Sequence, residues 1–192
     1  GCRDNPHGAT WTPNPDNLRV CLTKLEPRQR GLFAAAWTLG YVATFSRTGV
    51  EAIAMGAPTG PLGIIYRKAE HKQPWFDQLS APAVFPAYHV ISGLGRGAGR
   101  KMVDTESSDA AKVQSLAYKG KGGTTLWLAN LTAESQPVKL SGASGAIFGT
   151  TLDEDSFVMA TTNPRGFQNS WKAMKPALTL KPYAVAVISI ND

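Results

Sequence analysis

Apolar positions recur at helical spacing early in the chain: Leu32, Ala36, Leu39 and Ala43, flanked by Phe33, Trp37 and Phe45. Thr23 and Glu26 are spaced as a capping box, Pro27 is tolerated in a first turn, and Gly49 is placed to stop the run, so a helix is predicted over 27–47. A helix this apolar on most sides needs several neighbours to cover it. Val50-Glu51-Ala52-Ile53-Ala54-Met55 then reads as a short buried strand, ended by the turn formers of 56–63. Ile64-Ile65-Tyr66 extends briefly before a polar surface loop. A second helix is predicted over 83–102, with Phe85, Tyr88, Ile91, Ser92 and Gly95 on one face. Its Gly93, Gly95, Gly97 and Gly99 each cost about 1 kcal/mol against Ala, which close packing must offset.

The pattern changes near 107–109. Alternating runs over 113–119 and 124–131 flank a glycine-rich turn and predict a hairpin. Short strands are expected over 136–140, 146–148 and 157–160, and the chain closes with strand pattern over 177–190. Such spacing predicts an antiparallel sandwich or open barrel. The first residues, 1–22, are rich in Pro and Asx and read as loop. A lone buried parallel-type strand cannot make a sheet, so the first part reads as the end of a larger α/β domain. The fold class expected is α+β: the last β/α units of a (β/α)8 barrel over 1–108, then a β-sandwich over 109–192.

Composition narrows this picture. The chain has 192 residues, of which 43% are hydrophobic and 18% charged, which excludes disorder. A complete (β/α)8 barrel takes roughly 250 residues, so this length cannot hold one together with a second domain. The start at Gly1-Cys2-Arg3, without Met, suggests a processed chain, a tag remnant or a piece of something longer. Net charge is +6, but the basic residues are scattered, so no nucleic-acid surface is expected. No stretch reaches the roughly 20 apolar residues of a membrane span and no signal peptide is present; the chain is expected to be soluble and cytoplasmic. Cys2 and Cys21 read as free thiols rather than a disulfide framework.

Candidate chemistry is sparse. The glycines at 93–99 lie late in a helical pattern, whereas a dinucleotide fingerprint sits between a strand and a helix start, so helix packing is the better reading. His7, His71 and His89 have no metal-ligand spacing, and His89, beside apolar neighbours, reads as structural. Asp153-Glu154-Asp155 reads as a tight turn between two strands, and the sequon Asn130-Leu131-Thr132 as accidental. The densest polar constellation is Arg3, Asp4, Asn5 and His7. There Arg can clamp hydroxyls or a carboxylate, Asn can orient a hydroxyl, and His can move a proton. Trp11 beside it could wall a sugar ring; an Asx turn is the plainer alternative.

The segments Arg3-Asp4-Asn5-Pro6-His7-Gly8, Pro27-Arg28-Gln29-Arg30-Gly31-Leu32-Phe33, Ala35-Ala36-Trp37-Thr38-Leu39-Gly40-Tyr41 and His89-Val90-Ile91 resemble the C-terminal part of the D-apionate lactonase family. The resemblance implies a glycoside-hydrolase-like barrel end followed by a β-sandwich, with 50–55 as the eighth strand. It implies hydrolysis of a sugar-derived lactone by water attack on the carbonyl; no cofactor is expected and no metal ligands are expected among this chain's own residues, the metal requirement of the reaction staying open. Arg3, Asp4, Asn5, Trp11, Thr59 and Gly60 would then bound the barrel mouth, with His7 as the candidate general acid or base. The partners expected are a sugar-derived small molecule and the upstream part of the same barrel, with neither nucleic acid nor membrane. A barrel glycosidase stays open, as do a carbohydrate-binding module using Trp127 or Trp171 and a structural module. On the barrel reading the 192-residue chain alone is expected to be inactive.

Overall fold

A six-stranded antiparallel sheet organises the molecule, with helices on one face and a two-stranded ribbon on the other. The computed structural model describes residue 15 and residues 26–60, 62–120 and 122–191. In chain order the helices are α1 (Leu32–Phe45), α2 (Ala87–Arg96), α3 (Phe157–Thr162) and α4 (Pro164–Gln168). The strands are β1 (Met102–Val103), β2 (Val113–Gly120), β3 (Gly123–Asn130), β4 (Gln136–Lys139), β5 (Ile147–Leu152), β6 (Lys172–Ala173), β7 (Ala177–Leu180) and β8 (Val185–Asn191). The large sheet runs β1-β2-β3-β8-β5-β6, and β4 pairs with β7 separately.

The period-2 alternation of strands divides the core in two. On β3, Trp127 and Ala129 face the helices while Leu126 and Leu128 face the ribbon. On β8, Val185 and Val187 take the first side and Ala186 and Ile188 the second. A one-residue slip would exchange these sets, so burial on both faces fixes the register Trp127↔Val187. The hairpin expected from 113–131 forms with Gly120 paired to Gly123 and Gly122 at φ 78°, a conformation glycine adopts without strain.

Helix α1 lies on the sheet through small residues: Ala35, Ala36, Leu39 and Ala43 are almost fully buried. Arg47 follows its last turn, donating to Ala43 O at 2.6 Å and to Ser115 O on β2 at 2.7 Å. One guanidinium thus satisfies an orphan carbonyl of the helix end and ties the helix to the sheet.

Five expectations are corrected. Residues 50–55 form no strand and are mostly exposed; among the described residues nothing flanks them to complete a parallel ladder. The second helix begins at Ala87 rather than 83, because Phe85 precedes Pro86 and is held extended, its N–H donating to Ile64 O at 2.8 Å. Its buried face is Ala87, His89, Val90 and Gly93, not the set expected. Residues 157–160 are helix α3, since four apolar residues cannot distinguish the two periods. The acidic triplet is a turn, but it joins β5 to α3: Asp153 Oδ1 accepts from the N–H groups of Asp155 and Ser156 at 3.1 and 3.0 Å.

Candidate functional site

Arg3, Asp4, Asn5, His7 and Trp11 lie outside the described residues, as do Thr23 and the two cysteines. Thr59 and Gly60 are described and sit side by side at the exposed tip of the loop after 50–55. That loop closes on itself. Ala57 N donates to Leu62 O at 3.1 Å, Gly63 N to Gly60 O at 2.9 Å, and Ile65 N to Pro58 O at 3.0 Å. Gly60 has φ 94°, and at Gly63 a β-carbon would meet the Thr59 backbone at 2.6 Å, so both positions demand glycine. The result is a closed loop whose exposed rim carries one hydroxyl, that of Thr59.

The chain after this rim carries groups that the sequence reading missed. Ile65 bridges Val84, which brings 64–66 beside 83–85 and closes the loop between them. Inside it, the Tyr66 hydroxyl donates to Asp77 Oδ1 at 2.9 Å, while Gln73 N donates to Asp77 Oδ2 at 2.6 Å. The Gln73 hydrogen bond chiefly holds the Asp77 carboxyl below its ordinary pKa; partial burial opposes it, and Tyr66, Lys68 and Arg30 reinforce it. Trp75 has φ 69° and ψ −51°, a region costly for a bulky residue. Its ring is held edge-on to Phe76 at 4.9 Å and tilted on Phe157 of α3 at 5.2 Å. Nothing in the sequence around Trp75 signals positive φ, which depends on this aromatic packing.

A second feature lies between α2, α4 and the sheet: an open cavity of about 160 Å³. His89 of α2 forms part of its wall and is 5% exposed. Its Nε2 lies 2.8 Å from Ala160 O, so that nitrogen carries the proton and donates, leaving Nδ1 as a buried acceptor without a partner among the described residues. Burial chiefly lowers the His89 pKa; the Ala160 hydrogen bond opposes this and Arg96 adds to it. His89 is therefore structural on one nitrogen, as the sequence indicated, and open on the other. Trp127, one of two tryptophans considered as a sugar platform, is buried and forms a cavity wall, whereas Trp171 is 40% exposed and lines the same cavity.

Among the described residues no three His, Cys, Asp or Glu converge as metal ligands. Likewise, no described helix is long and apolar enough to cross a membrane. Asn130 is fully buried: its amide nitrogen donates to Glu134 O, Leu180 O and Lys181 O, and its oxygen accepts from Thr132 N. The sequon is thus occupied by structure.

Helices α1 and α2 with the loop between them, followed by an antiparallel β domain, fit the closing part of a (β/α)8 barrel joined to an immunoglobulin-like domain. The chain belongs to the D-apionate lactonase family: the model of its TIM barrel domain matches residues 1–99, and that of its C-terminal immunoglobulin-like domain matches residues 110–188. A D-apionate lactonase from Brucella anthropi is 28% identical over 139 residues, which are 72% of this chain and 21% of that protein. The chain therefore spans about a fifth of the length of that curated relative. A GH39 β-xylosidase from Caulobacter crescentus superposes with a TM-score of 0.51 at 12% identity, over 90% of this chain and 42% of that one. A GH30 endoxylanase from Clostridium papyrosolvens gives 0.41 at 16% identity, over 57% and 28%. The xylosidase shares the fold; at that identity it carries no chemistry across.

Proposed function

We propose that this chain supplies the last β/α segment and the β domain of a sugar lactonase, with the joint at 108/109, and that water attacks the lactone carbonyl at a site shared with the upstream part of the barrel. The observation that carries this is the match of a TIM barrel domain model to residues 1–99 of a chain spanning 21% of its lactonase relative. Barrel enzymes place their chemistry on the loops that follow the strands. Arg3, Asp4, Asn5 and Trp11 would contact substrate from one such loop, and Thr59 and Gly60 from the next, with His7 moving the proton. The reading needs no cofactor. The outer face of α1 also supports it: Trp37, Tyr41 and Phe45 stack at 5.2 and 4.4 Å along the helix, and Trp37 is 51% exposed. Such a ridge is suited to a neighbouring barrel helix.

The test is lactone hydrolysis by the 192-residue chain alone and after mixing with a polypeptide encoding the rest of a barrel of this family. Background rates alone and recovered turnover on mixing are expected, with His7→Ala abolishing the recovery. Robust turnover by the chain alone would overturn the reading, and turnover of aryl glycosides but not lactones would move the chain to the glycosidases.

A further inference from the structure

The segment 64–85 is closed at its neck and held at its tip by different kinds of contact. At the neck, Tyr66 N donates to Ala83 O at 3.0 Å and Phe85 N to Ile64 O at 2.8 Å. At the tip the polar contacts meet solvent: Asp77 is exposed, and the Arg30 guanidinium reaches Lys72 O at 3.2 Å on the surface. Hydrogen bonds that compete with water hold a loop weakly. The buried contacts are aromatic, with Phe76 and Phe85 at the centre and Tyr66 and Trp75 packed on them. Among the described residues, Phe157 is the one ring of this cluster from outside the segment. It opens α3, within the residues matched by the immunoglobulin-like domain, whereas Trp75 lies within those matched by the barrel domain.

We propose that the β domain latches this segment: the Phe157 ring holds Trp75 in a backbone state it would otherwise leave, and without that ring residues 67–82 open while the neck stays closed. At φ 69° and ψ −51°, Trp75 lies near the γ-turn of positive φ, which is rare and strained. A residue with a β-carbon keeps such a state only where its surroundings over-determine it. Phe76, 4.9 Å away, is its chain neighbour and moves with it; Phe157, at 5.2 Å, belongs to another element and anchors it independently. The base of the latch is fixed by bonds outside the tip. His89 Nε2 donates to Ala160 O at 2.8 Å, and Val84 N to Thr161 O at 3.0 Å, so α3 stays on α2 whatever the tip does. Relaxing Trp75 to negative φ redirects the chain between Gln73 and Asp77, which parts the Asp77 carboxylate from Gln73 N and from the Tyr66 hydroxyl. The open state thus exposes a carboxylate and a phenol that the closed state pairs. The inference stands on these contacts and not on the lactonase reading.

The experiment is amide hydrogen exchange on the full chain, read residue by residue. The tip is reported by the amides of Asp77, Gln78 and Leu79, which donate to Gln73 O, Trp75 O and Phe76 O at 3.0–3.1 Å. Phe157→Ala should speed their exchange by about tenfold or more, while Phe85 at the neck and the amides of β3 keep the parent rates. Glycine takes positive φ without strain, so in a Trp75→Gly background the same substitution should change those rates by less than about twofold. If the alanine variant does not fold, Phe157→Leu, which keeps most of the apolar volume, carries the same test. Unchanged exchange at the tip would overturn the inference, since the segment would then hold itself. So would equal acceleration at the tip, the neck and β3, which would make Phe157 part of the general core. A full tenfold effect in the Trp75→Gly background would overturn it too, because Phe157 would then act on something other than Trp75.

Discussion

The backbone of Gly93 lies against the indole of Trp127 so closely that a β-carbon there would overlap the Cη2 and Cζ2 atoms of the ring. One turn on, a β-carbon at Gly97 would meet the Tyr118 ring at 2.5 Å, so α2 approaches β2 and β3 through a groove cut by missing side chains. The same approach forms one wall of the cavity. At Gly95, in the same helix, a β-carbon would meet no atom of another element within 4 Å among the described residues.

This contrast yields a paired expectation for stability. Gly93→Ala should destabilise the protein by about 1–3 kcal/mol through overpacking. Gly95→Ala should stabilise it by up to about 1 kcal/mol, because it restricts the unfolded chain and improves helix propensity without a clash. Urea denaturation of the two variants measures both effects. If they shift stability in the same direction, packing against Trp127 is not what Gly93 provides.

Asn130 joins β3 to the turn between β7 and β8, with donor contacts to Glu134 O at 2.6 Å and Lys181 O at 2.8 Å. Asn130→Ala would remove the donor to the buried Leu180 O and to the part-buried Glu134 O and Lys181 O, and should cost about 3 kcal/mol. Asn130→Asp should also destabilise, since a carboxylate cannot donate. Expression in a glycosylating host should give a chain whose mass shows no glycan at Asn130, because the attachment atom is buried and engaged.

Much of the β domain was legible in the sequence because the runs over 113–131 and 177–190 have strand pattern, and Gly122 marked the hairpin turn. The glycines of α2 were legible as packing positions, although the pattern did not say which two touch the sheet. Residues 157–160 were misread because a four-residue apolar run carries no period, and the Asp153 turn that starts the helix becomes visible only in three dimensions. Residues 50–55 have strand composition without strand neighbours, and composition does not supply a ladder. The cavity was illegible for another reason. His89, Trp127 and the neighbours Gln168 and Trp171 lie on three separate segments and meet only through the order of the strands and the placement of α2 and α4.

His89 gives the protein a pH dependence with a defined sign. Its folded pKa is depressed, burial being the main cause, so the native state resists protonation while the unfolded chain takes up a proton near pH 6.5. Stability is therefore unaffected by this residue above about pH 6.5 and falls as pH drops below it, levelling once the folded pKa is passed. Carboxylates also titrate in acid, so the measurement is a difference. The loss of stability between pH 7.5 and pH 5 should be smaller in His89→Gln, whose amide can still donate to Ala160 O. Equal losses in the two proteins would show that His89 is protonated in the folded state.

The ridge formed by Trp37, Tyr41 and Phe45 decides whether α1 is finished by the described part of the molecule. Its other side is complete, with Ala35, Leu39 and Ala43 at 0–1% exposure against the sheet, so a charge on the ridge should leave the fold intact. Surface substitutions of that kind usually change stability by less than about 0.5 kcal/mol. If the ridge is covered by an upstream barrel helix, Trp37→Asp should weaken association with that polypeptide by tenfold or more, about 1.4 kcal/mol or above, because aromatic anchors dominate such interfaces. The melting temperature of the chain alone should stay nearly unchanged. Analytical ultracentrifugation of the mixed polypeptides, beside a thermal melt of the variant alone, separates the two effects. Unaltered association would mean that the barrel closes over a different face of α1, and a collapse of the melt would mean that Trp37 belongs to the core of this chain.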